Sequence, residues 1–216
     1  ALGTDRVHAI AAAVFTTQDP VTDTCRLRDH LLANVAPAAA RDVAYIGNTA
    51  GFYQFVGMMD SLPVYQSGTY PYRTEGGEIL FDAAGDPIVQ GGVAVRFALA
   101  LPTRSPPAGG WPIVVYAHGT GGDYQSFVDD GTAGLLTARG IAVLGFDQIF
   151  NGDRLSPGGN EATDFFNVQN LLAGRDNNRQ AFVDLVQIGR FAATLVLASA
   201  ISPTGAEIRF DATRVA

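Results

Sequence analysis

The sequence predicts an α/β protein: a mostly parallel sheet with antiparallel opening strands and helices on both faces. Three observations carry that expectation. Trp111-Pro-Ile-Val-Val-Tyr-Ala117 is of strand length and continuously apolar over residues 113–117, as suits a strand covered on both faces. It runs into His118-Gly-Thr-Gly-Gly122, then a helical interval, then a second apolar run over residues 141–146; strand, glycine turn, helix and strand within about thirty residues make one right-handed crossover unit. Upstream, Val93, Val95, Phe97, Leu99 and Leu101 alternate with smaller or charged residues, the period of a half-buried strand.

Residues 1–41 read as a helical appendage. Residues 7–15 are Ala-rich, and Leu27, Leu31, Leu32 and Val35 recur at helical spacing between Pro20 and Pro37. His8 and His30 fall here and read as surface or capping residues, with a ligand role as the alternative. The character turns to β over residues 43–101, where Asp82-Ala-Ala-Gly-Asp-Pro87 is a turn-rich connection. Tyr45, Phe52, Tyr53, Phe55, Met58, Met59 and Tyr65 form an aromatic stretch that reads as packing or, more sharply, as one wall of an apolar ligand pocket.

The glycines of the central loop matter because Gly119, Gly121 and Gly122 free the backbone to aim several N–H groups at one point, where an anionic oxygen can sit. The plain alternative is a steric turn. A phosphate-cradling loop is the weaker reading, since the run lacks Gly-Lys-Ser/Thr and the chain contains no lysine. Ser126-Phe-Val-Asp129 has the spacing of a capping box and predicts a helix that ends at Gly140.

Residues 147–178 lack clear periodicity and contain Pro157, Gly158, Gly159 and Asn160. Leaving the C-terminal end of a strand, they read as a lid or pocket wall lined by Phe165, Phe166, Val168, Leu171 and Leu172, or else as a covered surface loop. Asp153, Asn160, Glu161 and Asp164 match no calcium-loop spacing, so neither a metal nor a cofactor is assigned. Asp176 is placed as the cap of a helix whose stripe is Phe182, Leu185, Val186, Gly189, Ala193, Val196 and Leu197. Arg175 and Arg179 with Asp176 and Asp184 read as helix-end and surface pairs.

Composition bounds the partners. The net charge of −7 disfavours nucleic acid and leaves a neutral or cationic substrate unobstructed. No apolar run approaches the ~20 residues a bilayer span needs. A single cysteine, Cys25, excludes an internal disulfide and leaves pairing with another chain open. Without an initiator Met or a charged-then-apolar leader, any signal peptide is expected to have been removed or never present.

Tyr116-Ala-His-Gly-Thr-Gly-Gly122, Gly140-Ile-Ala-Val-Leu-Gly-Phe-Asp147, Asn151-Gly-Asp-Arg154 and Arg175-Asp-Asn-Asn-Arg-Gln180 together resemble the α/β-hydrolase superfamily, within it bacterial secreted lipases and esterases. The resemblance spans roughly residues 91–216. It implies that His118-Gly-Thr-Gly-Gly122 is half of an oxyanion hole, with the Thr120 N–H as donor, Gly119 and Gly121 shaping the turn and His118 orienting the loop. It further implies an extracytoplasmic location and an ester substrate, small-molecule or lipid. The superfamily's Gly-x-Ser-x-Gly elbow, acid and later histidine are not in this chain, and Ile208-Arg-Phe-Asp-Ala-Thr-Arg-Val-Ala216 resembles the approach to that elbow. Residues 42–216 are therefore expected to be the N-terminal half of a catalytic domain, incomplete without a C-terminal half carrying serine, acid and histidine. Two alternatives stand beside it: amide or peptide hydrolysis on the same frame, and a non-catalytic hydrolase-like binding or scaffolding protein.

Overall fold

A computed structural model describes residue 19, residues 21–49 and residues 51–216. The expected helix over residues 7–15, and His8 with it, lie outside the described residues. Helix α1 (Thr22–Asn34) leads into strands β1 (Ala39–Thr49), β2 (Phe52–Val64), β3 (Gly91–Pro102) and β4 (Trp111–Tyr116). Two short helices, α2 (Ser126–Asp129) and α3 (Thr132–Thr137), precede β5 (Ala142–Phe146). Helices α4 (Glu161–Phe166) and α5 (Leu171–Thr194), then β6 (Val196–Leu197) and β7 (Ile208–Val215), complete the order.

The seven strands form one sheet in the order β1-β2-β3-β5-β4-β7-β6. Only β5 with β4 and β4 with β7 pair in parallel; β1 with β2, β2 with β3, β3 with β5 and β6 with β7 are antiparallel. The sheet is thus mixed rather than mostly parallel, because β3 runs against β5 and β1 adds a further antiparallel edge. The two strands expected from the apolar runs, β4 and β5, form the parallel centre together with β7.

Helices cover both faces. On one, Phe55, Phe97, Leu99 and Leu144 pack against Ile188, Phe191 and Ala192 of α5. On the other, Ala98, Ala100 and Val143 meet Phe127 and Ala133. The alternation in β3 therefore separates two buried faces, not a buried one from a wet one, and the second is recognisable by its alanines. Each fully buried phenylalanine contributes about 1.5–3 kcal/mol. Gly145 makes the Phe127 contact possible: a Cβ there would sit 2.5 Å from the Phe127 ring and 2.6 Å from the Tyr124 carbonyl. Gly145→Val would drive Phe127 out.

The helix expected after Ser126 is broken in two at Asp130 and Gly131, the latter left-handed at φ 84°. Ser126 does not cap it; its Oγ accepts instead from the Asp123 N–H at 2.9 Å. Leu135 is exposed, and Phe127 and Ala133 are the apolar residues that these two helices bury.

Helix α5 begins earlier than its expected cap. Asn170 caps it, accepting from the Ala173 N–H at 3.3 Å, whereas Asp176 lies inside the helix, fully buried. Its inner face carries Asp176, Asn177, Gln180, Asp184 and Gln187 beside Val183, Ile188 and Phe191, so the expected apolar stripe is largely replaced by a polar one. Arg179 pairs with Asp176 at 3.0 Å and with Asp23 of α1 at 3.0 Å, a buried network rather than a surface pair. Val196 and Leu197 leave the helix as β6.

Candidate functional site

Strand β4 delivers the chain to Ala117 at the C-terminal end of the parallel centre, and His118 turns back inward, 6 % exposed. Its Nε2 accepts from the Gln148 backbone N–H at 3.2 Å, which leaves the proton on Nδ1, donated to the Gly119 carbonyl at 2.7 Å. The Gln148 side-chain amide donates to the His118 carbonyl. Both ring nitrogens are thereby engaged in holding the loop.

Downstream, the Gly121 N–H donates to Asn151 Oδ1 at 2.8 Å, and Asn151 Nδ2 donates to the Ile149 carbonyl at 3.0 Å, so Asn151 is oriented by its own backbone. The Gly122 N–H closes a turn on the Gly119 carbonyl at 3.0 Å. Two glycines are structurally required. Gly121 sits at φ 82°, and a Cβ on Gly122 would lie 2.8 Å from both His118 Nδ1 and Ser126 Oγ. Gly119 has neither a left-handed φ nor any atom within 4 Å of a Cβ position. Between Gly119 and Gly122, the amides of Gly121 and Gly122 are thus consumed, and those of Gly119 and Thr120 donate to no group among the described residues. Both residues are exposed.

A carboxylate anchors this platform. Asp147, fully buried at the end of β5, accepts from the Tyr124 N–H at 3.0 Å, from the Asp153 N–H at 3.2 Å and from Arg96 Nε at 2.7 Å. Arg96 lies 4.3 Å above the Tyr124 ring and also pairs with Asp153 at 2.9 Å. Gly152 turns at φ 55°, where a Cβ would come 2.1 Å from Asp147 Oδ1. Strand β7 ends alongside the middle of β4: the Ala216 N–H donates to the Ile113 carbonyl at 3.0 Å, and the Val115 N–H donates to the Ala216 carbonyl at 2.7 Å.

The structure gathers His118, Gly119, Thr120 and Gly121 at one place. It does not bring Phe165, Phe166 and Leu171 there. Phe165 packs edge-on against Phe150 at 6.4 Å, Phe166 is 58 % exposed and Leu171 is 73 % exposed. A cavity of about 500 Å³ lies instead among β2, β3 and residues 147–157, and none of the three lines it. The short α4 turns Phe165 inward and Phe166 outward, and in the first turn of α5 Leu171 and Leu172 face solvent while Ala173 and Gly174 are buried. His30 hydrogen bonds through Nδ1 with the Tyr65 hydroxyl at 3.0 Å, a structural contact, and burial pushes the Tyr65 phenol up to about 12. Asp164 is held by Arg73 at 3.0 Å. Among the described residues no group of three or more His, Cys, Asp or Glu is placed to hold a metal, and no helix is long and apolar enough to cross a membrane.

Sequence reasoning missed Gln148, Asn151, Asp147 and Arg96. The signal for the second and third lay in Asp147 and Asn151-Gly-Asp-Arg154, whose turn residues follow a strand at its C-terminal end.

No protein-family model matches the chain, and no curated protein does. Among solved structures, the fold is similar to an acetyl xylan esterase from Paenibacillus sp. R4, with a TM-score of 0.51 and 15% sequence identity. The match covers 94% of this chain and 52% of that one, so the chain spans about half the length of the esterase it resembles. At this identity the likeness concerns the fold.

Proposed function

We propose that this chain supplies the oxyanion-binding half of a carboxylic-ester hydrolase of the α/β-hydrolase kind, acting with further polypeptide that carries serine, an acid and histidine. The observation that carries the reading is an exposed Thr120 amide with no acceptor among the described residues, on a loop fixed at both ends, at the C-terminal end of the strand that β7 pairs with in parallel. Polypeptide continuing β7 in its present direction would run parallel to the end of β4, toward that loop. The likeness of the fold to an acetyl xylan esterase supports the ester class.

In the proposed reaction the serine Oγ attacks the ester carbonyl carbon while histidine takes its proton. The negative charge collects on the carbonyl oxygen, which the Thr120 N–H and the amide after the serine receive. Collapse expels the alkoxide, which recovers the proton from histidine, and water then releases the acid by the same route. Fixed donors are effective because they need no reorganisation as charge develops. His118 acts by holding the loop, since its two nitrogens are already engaged.

The test is p-nitrophenyl acetate turnover by the 216-residue chain alone and joined to the polypeptide that continues β7. Turnover is expected only in the joined protein, abolished by a fluorophosphonate that labels the added part. Thr120→Pro should lower kcat by about 100-fold or more with the fold intact by circular dichroism. Full turnover in a folded Thr120→Pro protein would remove Thr120 from the mechanism; an inert joined protein would overturn ester hydrolysis.

A further inference from the structure

We propose that the cavity among β2, β3 and residues 147–157 is a binding site for a neutral, mainly apolar molecule bearing a hydroxyl group. None of its lining residues belongs to residues 117–122, so the proposal stands apart from the ester reading. Its volume of about 500 Å³ falls within the roughly 300–1,000 Å³ of small-molecule pockets.

The polar end of the site is defined by Gln66, a lining residue only 2 % exposed. Its Nε2 donates to the Gly77 carbonyl and to Asn177 Oδ1, both at 2.8 Å. Asn177 is itself oriented, because its Nδ2 donates to the carbonyls of Asp164 at 3.1 Å and Phe165 at 2.7 Å. The Gln66 amide therefore has one permitted orientation, in which Oε1 is buried and receives no donor among the described residues. Ser156 Oγ, on the same cavity, is likewise buried without a partner. Buried polar atoms are nearly always satisfied, and two orphans on one cavity call for a ligand that can donate to one and bond the other. A hydroxyl does both.

Charge and shape fix the rest of the ligand. Arg96 is committed to Asp147 and Asp153 at 2.7 and 2.9 Å, and Arg154 to Asp184 at 2.7 Å. Within the lining, the guanidiniums of Arg96 and Arg154 are matched by the carboxylates of Asp147 and Asp153, so the wall offers no unpaired charge of either sign to an ion. Burial raises the Tyr70 phenol above its ordinary value, keeping it neutral, and its O–H already donates to the Arg154 carbonyl. The remaining wall is apolar, including Met58, Val64, Val93, Ile149, Leu155 and Pro157. Flat rings fit beside Tyr70, which stacks on Phe150 at 4.9 Å.

The probes are 2-naphthol and its methyl ether, 2-methoxynaphthalene, titrated calorimetrically into the 216-residue chain. The naphthol should bind saturably at one site and the ether, which cannot donate, at least about tenfold more weakly. Ser156→Ala should narrow that ratio. Ala94→Phe, which fills the cavity, should remove binding of both while circular dichroism stays unchanged. Equal affinity for the pair, binding that survives Ala94→Phe, or no saturable naphthol binding by the folded chain would each overturn the proposal.

Discussion

The loop after β4 and the layer beneath α5 use the same chemistry to opposite ends. Under α5, Asp176 Oδ2 accepts from the Ile79 N–H at 2.9 Å, and Gln180 Oε1 accepts from the Tyr65 N–H at 2.8 Å. Gln180 Nε2 donates to the Pro63 carbonyl at 2.9 Å, and Gln187 Nε2 to the Ala36 carbonyl at 2.6 Å. These side chains bind backbone groups of Ala36, Pro63, Tyr65 and Ile79, and nearly every polar atom there is matched and covered. At the loop, Gln148, Asn151 and Asp147 fix the neighbouring backbone with equal care, yet the Thr120 amide is left unmatched and exposed. Matched polar groups inside the fold are architecture, whereas unmatched donors on a rigid rim are a place for chemistry.

The comparison can be broken at its buried side first. Asp176→Ala strands the buried Ile79 amide and leaves Arg179 with Asp23 alone, and should cost about 3–5 kcal/mol in urea unfolding; a loss below about 1 kcal/mol would show the layer to be dispensable. On the loop side, Gly122→Ala must displace His118 or Ser126 and should cost about 1–3 kcal/mol, while Gly119→Ala should stay within about 0.5 kcal/mol. Equal losses at the two glycines would contradict the assigned turn. Asn151→Ala releases the exposed Gly121 amide to water, so about 0.5–1.5 kcal/mol is expected, with faster hydrogen exchange at Gly121 as the sharper readout.

The smallest effect concerns Asp130, whose carboxylate is held below its ordinary pKa by the Tyr116 hydroxyl at 2.5 Å, and next by the Thr132 backbone and side chain. A depressed folded-state pKa gives stability that is present above the unfolded value of 3.8 and lost as pH falls through the folded one. In Tyr116→Phe the carboxyl-carbon titration midpoint should rise toward 3.8, and an unmoved midpoint would assign the depression to Thr132.

Much of this was legible in the chain. Apolar runs mark β4 and β5, and the glycines between them mark the loop, because a strand buried on both faces admits little else; β7, with its alternating Arg and Asp, is legible only by resemblance. The layer under α5 was not, since a search for apolar stripes passes over a helix face made of Asp176, Asn177, Gln180, Asp184 and Gln187. Asp176 resembled a cap because a carboxylate near a helix start has two uses, and only the position of Ile79, nearly a hundred residues away in the sequence, decides between them. The misplacement of Phe166 and Leu171 has the same origin: their spacing does not say where the sheet has left a hollow.

Asp147 has one further consequence. A single carboxylate clamps Tyr124, just past the glycines, and Asp153, in the cavity wall, so the two are geared together without touching. Whatever wedges apart residues 152–157 must drag on that shared rivet, and strain entered on one side would be felt on the other.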